Sequence, residues 1–344
     1  GSEVHFKEKN ARIKIPDGKI NPANLPSSID KNPGESIFEF LSSNNKFDFG
    51  NGNVFTGNSL KFEKGNLFFD FKGSGKLNSL NILNENGIKT FSPETLKDEK
   101  IIEEIIDLAP QLFVVAAFGK IIPSRLLMLP SLGAINAHPS LLPRWRGPAP
   151  VVHALLAGDT KTGVTLIRLT DAVDAGPILK QVSINLRGDE TAGELEQKLF
   201  SLGASLLYEI IPLYVGGEIS LQPQTTEGIT HAPKIKTEHA KLIWSKKAVQ
   251  LEREVRAFNP EPGSYFFWQR KGKALRIKVW KVITAENDVI NSKKGIIVKI
   301  NTSPGVLTFK GTLLLEQLQP EGKKVMSGNT FLNGYPDFIG TTLL

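Results

Sequence analysis

The chain has no cysteine among its 344 residues, which excludes structural disulfides, thiolate catalysis and Cys-ligated zinc together. Its five histidines follow no repeated spacing, so a metal site is not indicated. Apolar runs are short, and none approaches the roughly 18 residues expected of a membrane-crossing helix. The opening residues show neither a basic stretch leading into an apolar one nor an Arg/Ser-rich amphipathic segment. The expectation is a soluble, intracellular protein with no membrane partner. With 344 residues, the chain can build two or three domains, each with a core of its own.

Positive charge is in excess, with a net of +7 and an isoelectric point of about 9.3. The excess is concentrated. Between Lys241 and Lys281 there are eleven Lys/Arg against three Glu, a local net of +8. A basic segment of this kind suits a polyanion such as RNA, and equally the solvated face of a basic domain.

Residues 1–80 are rich in Asn, Gly and Phe. The pieces "SLKFE" and "LFFDF" sit between the turn signals "GNGN", "EKGN" and "KGSG", which reads as short hairpin strands or as a poorly ordered segment. The pattern changes near Leu80. "SPETLKDEKIIEEIIDLAP" is a helix pattern opening at Ser92, and "LFVVAAFG" and "GAINAH" read as strands buried on both faces. "PAPVVHALLAGD" is a helix ending at Gly158, followed by strand-like "GVTLIRL" and "LKQVSINL". A long amphipathic helix then begins at Thr191, with Glu194 in the capping-box position. This alternation predicts an α/β fold over 81–216, a doubly wound (Rossmann-like), mostly parallel sheet. Residues 217–240, rich in Pro, Thr and Gly, read as a linker. Residues 241–340 contain one helix and several short strands with Gly-containing turns, which predicts a small, basic, OB-like β-barrel.

One pair of residues stands out for chemistry. Ligands of open parallel sheets bind beyond the carboxyl ends of the strands, and "GAINAH" ends there with Asn136 and His138. Two apart on a strand, they face the same side. An amide and an imidazole so placed can both donate to an oxygen that develops negative charge, as acyl transfer requires. "TDAVDAGPI" adds Asp171 and Asp174, either of which can orient the imidazole. The ordinary alternative, a structural histidine and turn-forming aspartates, fits the same spacing.

"NAHPSLLPRWRGPAPV" followed by "TGVTLIRLTDAVDAGPIL" resembles the signature of the formyltetrahydrofolate-dependent formyltransferases. "FSPETLKDEK" and "VVAAFGKIIP" extend the likeness upstream. Downstream, "EGITHAPKIKTEHAKLIWSKKA", "RAFNPEPGSY" and "LLLEQLQPEGKKVMSG" are similar to the branch of that family that formylates methionyl-tRNA. The resemblance implies that Asn136 and His138 bind the formyl oxygen, and that Asp174 pairs with His138 and moves the proton. It implies folate contacts at Ser140, Leu141, Leu142 and Pro143 and at Phe118, Gly119 and Ile122. It implies tRNA contacts at Arg144, Arg146, Lys246, Lys247, Arg270, Lys271 and Lys273. The co-substrate would be 10-formyltetrahydrofolate without a metal. The partner would be methionyl initiator tRNA, and the enzyme a monomer in the bacterial cytoplasm or an organellar matrix. Two other readings remain: a formyltransferase for an amino sugar or small amine, and an impaired remnant that only binds RNA. The family's first strand–helix unit has no counterpart here, and residues 1–80 stand in its place.

Overall fold

Close to the N-terminus short strands are paired two by two. In the computed structural model, β1 (Ala11–Pro16) pairs antiparallel with β2 (Glu35–Phe40), β3 (Lys46–Asp48) with β4 (Val54–Thr56), and β5 (Ser59–Glu63) with β6 (Asn66–Asp70). In the last pair Glu63 lies opposite Asn66; the turn residues expected between the strands lie outside the described residues. Besides these strands the structure describes residues 95–343 except 117, 119–121 and 291–292. Whether residues 1–80 replace a strand–helix unit lies outside the described residues.

Two compact units make up the chain. One comprises Gly1–Pro148, Thr162–Ile184 and Glu196–His231, and the other Ala149–Lys161, Asn185–Leu195 and Ala232–Leu344. The first is built on a four-stranded sheet in the order β10 (Ile178–Asn185), β9 (Lys161–Arg168), β8 (Ala134–His138), β7 (Phe113–Ala116). β7 and β8 run parallel, whereas β9 is antiparallel to β8, so the α/β sheet is mixed. Every residue of β7 is buried, and so are the six central residues of β9. The unbroken apolar runs follow from that burial.

The helix expected to open at Ser92 begins later, at α1 (Glu99–Asp107). Its start is set by Asp98, whose carboxylate accepts the Lys100 N–H at 3.0 Å; Ser92 lies outside the described residues. Ile102 and Ile105 of α1 pack with Phe113 and Leu126 in one apolar cluster. The long helix (Ala192–Val215) starts at the predicted capping box: Thr191 Oγ1 accepts the Glu194 N–H at 3.3 Å, and the Glu194 carboxylate accepts the Thr191 N–H at 2.9 Å. By length and composition alone this helix could cross a membrane. Its Leu199, Leu206, Leu207 and Ile210 are instead buried, each contributing about 1.5–3 kcal/mol relative to exposure, and Gly203 packs on Ala137 and Val164 of the sheet.

The second unit is a small β domain. Its antiparallel sheet runs β11 (Tyr265–Arg270), β12 (Lys273–Ile290), β15 (Lys310–Pro320), β14 (Ser303–Leu307), β13 (Ile297–Ile300), with β16 (Met326–Ser327) paired to β15. The helix Ala248–Ala257 contributes Leu251 and Val255 to the same core as Trp244, Phe266, Trp268, Leu315 and Phe331. Trp244 and Trp268 are therefore core residues. Trp280 is half-buried and donates its Nε1–H to Gln319 at 2.9 Å.

Within this core Glu254 is buried, and Lys246 caps its carboxylate as an ion pair. Burial, outweighing Lys246, raises the Glu254 pKa above its ordinary value. Lys246→Ala leaves that carboxylate without a partner, and we expect a loss of about 1–3 kcal/mol. That is less than for a fully buried pair, because Lys246 reaches solvent. A raised carboxyl pKa favours the folded state below the unfolded value and loses that benefit as pH rises. The deficit should therefore be largest at and above neutral pH and shrink toward pH 4 in urea-melt measurements. A pH-independent deficit would exclude this cause.

Candidate active site

The end of β8 carries the predicted pair. Asn136 is half-buried, and His138 is only 4% exposed. His138 Nε2 lies 2.9 Å from the Trp145 carbonyl oxygen. A carbonyl only accepts, so Nε2 carries the proton. Nδ1 faces Asp174 Oδ2 at 3.6 Å. Asn136 Nδ2 approaches the other carboxylate oxygen at 3.5 Å, and the Gly147 N–H donates to Oδ2 at 2.8 Å. Asn136, His138 and Asp174 thus converge on one point in the first unit.

Asp174 sits in the left-handed region, with φ 50°. That conformation costs a non-glycine residue about 1–2 kcal/mol, least for Asp and Asn, and is typical of functional loops. Asp171 takes a different part: its carboxylate is exposed and accepts the Ser124 hydroxyl at 2.8 Å. It is a loop residue.

The predicted wall from Ser140 to Pro143 is held from beneath. Thr165, opposite His138 in the β8–β9 ladder, donates its hydroxyl to the Ser140 carbonyl at 2.6 Å and accepts the Leu142 N–H at 3.1 Å. Gln181 Nε2 donates to the Leu142 carbonyl at 2.9 Å and to Thr165 Oγ1 at 2.8 Å. Ser140 is fully buried and gives its hydroxyl proton to the Arg144 carbonyl at 2.7 Å; Leu142 is 3% exposed. Both shape the wall from inside, and half-buried Leu141 and Pro143 present its surface. Phe118 and Ile122 pack on the α1 cluster, and Gly119 lies outside the described residues.

Sequence reasoning missed the residues that brace this site. Thr165 and Gln181 read as ordinary strand polar residues. Thr230 and Gln224 come from the stretch that reads as a linker. Thr230 accepts the Trp145 N–H at 2.8 Å through its hydroxyl and the Arg146 N–H at 2.9 Å through its carbonyl. Gln224 contacts both Arg146 and the Asp174 loop. No local pattern marks either one.

Two family models match the chain. That for formyl transferase matches residues 57–211, and that for the formyl transferase C-terminal domain matches residues 234–336. A methionyl-tRNA formyltransferase from Chloroflexus aggregans is 40% identical over 251 residues, covering 72% of this chain and 80% of the relative. This chain belongs to the methionyl-tRNA formyltransferase family. A second relative of that name, from Bacillus pumilus, is 38% identical over 260 residues, covering 75% of this chain and 81% of its own. Among solved structures, HypX from Aquifex aeolicus in complex with tetrahydrofolic acid is similar in fold. Its TM-score is 0.54 at 16% identity, over 76% of this chain and 45% of that one.

In this methionyl-tRNA formyltransferase family member the arginines and lysines expected to meet tRNA differ in how far they are engaged. The Arg144 guanidinium lies over the Trp145 ring, 4.2 Å from its centroid. Arg146 donates to Gln224 Oε1 from Nε at 3.1 Å and from Nη2 at 2.6 Å. Arg270 makes a two-point ion pair with Asp337, at 2.8 and 2.9 Å, and stacks on Tyr335. The hydrogen bond to Asp337 raises the Arg270 pKa, and the same bond lowers that of Asp337. Lys246 is paired with Glu254, whereas Lys247, Lys271 and Lys273 are exposed. Outside the site, His153 is half-buried, with Nε2 3.1 Å from the Pro233 carbonyl, as a packed structural histidine would be.

Proposed function

We propose that this protein transfers the formyl group of 10-formyltetrahydrofolate to the amino group of methionyl initiator tRNA. The convergence of Asn136, His138 and Asp174 at the end of β8 carries this reading. The 40% identity to a named methionyl-tRNA formyltransferase supports the choice of acceptor. The residues suit a folate-type donor: a stiff, partly apolar wall at Leu141 and Pro143 adjoins an amide, an imidazole and a carboxylate. Such a donor supplies an activated formyl carbon.

In the reaction the acceptor amine forms a bond to that carbon, the bond to the folate nitrogen breaks, the amine loses a proton and the folate nitrogen gains one. Asn136 Nδ2 has two hydrogens, and its long contact with Asp174 engages at most one. The other is available to the formyl oxygen as it gains negative charge. His138 can add its Nε2–H to the same oxygen by exchanging the Trp145 carbonyl for it. Asp174, accepting from Gly147 and facing His138 Nδ1, is the group that receives the proton from the amine and passes it on. Leu141, Pro143, Phe118 and Ile122 line the folate side in this reading, and the exposed Lys247, Lys271 and Lys273 contribute salt-sensitive attraction to tRNA.

Incubation of the purified chain with 10-formyltetrahydrofolate and charged initiator tRNA tests the proposal, with acid-gel separation of formylated and unformylated product. We expect catalytic formylation. Transfer to an amino-sugar nucleotide in place of tRNA would overturn the acceptor assignment. Salt-sensitive tRNA binding without transfer would mark a remnant that only binds RNA.

A further inference from the structure

We propose that Gln224 is a positioning residue for formyl transfer, holding the loop that carries Asp174 in register with His138 and Asn136. The inference rests on the formyl-transfer reading above. It begins in the backbone, where Ile178 and Gln222 exchange hydrogen bonds of 2.7 and 2.9 Å as an antiparallel bridge. In that register, two steps along one segment and two back along the other place Gln224 opposite Gly176, beside Asp174.

The side chain completes the link. Gln224 Nε2 donates to the carbonyls of Asp174 and Gly176, both at 2.8 Å, while Oε1 accepts both hydrogen bonds from Arg146. Both amide hydrogens and both oxygen lone pairs are thereby used. The orientation follows from chemistry, because a reversed amide would set its oxygen against two carbonyls and its NH₂ against a guanidinium. At Gly176 the loop passes so close to the end of β9 that a Cβ would lie 1.7 Å from the Arg168 carbonyl oxygen. At Asp174 the left-handed backbone is held by Gln224 on its carbonyl and by the Gly147 N–H on its carboxylate. Arg146, predicted to serve tRNA, is the anchor on the far side of the same amide. A displacement of about 1 Å at a reacting group can cost about 10²-fold in rate, so a residue that fixes Asp174 acts on turnover without touching substrate.

Gln224→Ala and Gln224→Glu in the full chain test this. The glutamate keeps an acceptor for Arg146 but turns a second oxygen toward the two carbonyls, so it should do at least as much harm as alanine. We expect each variant to lower kcat for methionyl-tRNA formylation by about 10- to 10²-fold, with KM for 10-formyltetrahydrofolate changed less than about threefold. In an Asp174→Ala background, Gln224→Ala should cost less than about twofold more, because its effect runs through that carboxylate. Hydrogen exchange read by mass spectrometry is independent of turnover: exchange across 172–178 should rise about tenfold or more in Gln224→Ala, with 134–138 unchanged. Retention of kcat within threefold, undiminished loss in the Asp174→Ala background, or unchanged exchange at 172–178 would each overturn the proposal. If the parent chain transfers no formyl group, the functional reading fails instead, and the exchange result still decides whether Gln224 holds the loop.

Discussion

His138→Ala should lower the rate of formyl transfer by about 10²-fold or more. The imidazole is buried at the end of β8, its Nε2–H held by the Trp145 carbonyl and its Nδ1 turned to Asp174. In the proposed mechanism alanine removes a donor that leaves the Trp145 carbonyl for the formyl oxygen, a change that costs about 10²- to 10³-fold at comparable oxyanion sites. It also removes the partner of the carboxylate proposed to carry the proton, an effect of similar size. The two roles concern one residue and do not simply multiply. The loss should appear in kcat under saturating donor and tRNA, and single-turnover kinetics would place it in the chemical step. A loss smaller than tenfold would remove His138 from the mechanism.

Asp174→Asn should cost about as much, roughly 10²- to 10⁴-fold. Asparagine tolerates left-handed φ nearly as well as aspartate, so the loop backbone is kept and the variant isolates the carboxylate. An amide in its place offers one oxygen where Gly147 N–H and Asn136 Nδ2 approach two. Its NH₂ must then face another donor, and it cannot take up the amine proton. The expected signature is a collapse of kcat with little change in KM for either substrate, while the melting temperature falls by only a few degrees. Asp174→Ala combined with His138→Ala should be no slower than the worse single variant, because the two act as a unit. Retention of more than a tenth of the parent rate by Asp174→Asn would leave the carboxylate a structural role only.

What could be read from the sequence was what has a local cause. The spacing of two between Asn136 and His138 places them on one side of a strand whatever surrounds it, and the Thr191/Glu194 cap is decided within one helical turn. Spacing alone does not choose between Asp171 and Asp174, which lie in one loop; the resemblance implies the second, and it is the second that turns toward His138. The direction of β9 was hidden for a related reason. A run of six buried residues looks the same in parallel and antiparallel neighbours. Thr165, Gln181 and Gln224 were hidden most deeply, because a polar residue facing water and one bonded to a partner far along the chain give the same alternation. Lys246, which the resemblance assigns to tRNA, lies against a buried glutamate that no local pattern marks as its partner.

The separation of the bracing contacts along the chain also bears on how the site comes into being. Trp145 and Arg146 are secured by Thr230, 85 residues later in the case of Trp145. At about 5–20 residues per second of synthesis, a ribosome needs about 4–17 s to make the intervening stretch. Asp174 is made part-way through that interval, and for about 3–11 s more His138, Asp174 and the arginine loop exist without the segment that closes them together. A nascent chain stopped before residue 224 should therefore lack an ordered Asp174 loop even if its sheet has formed.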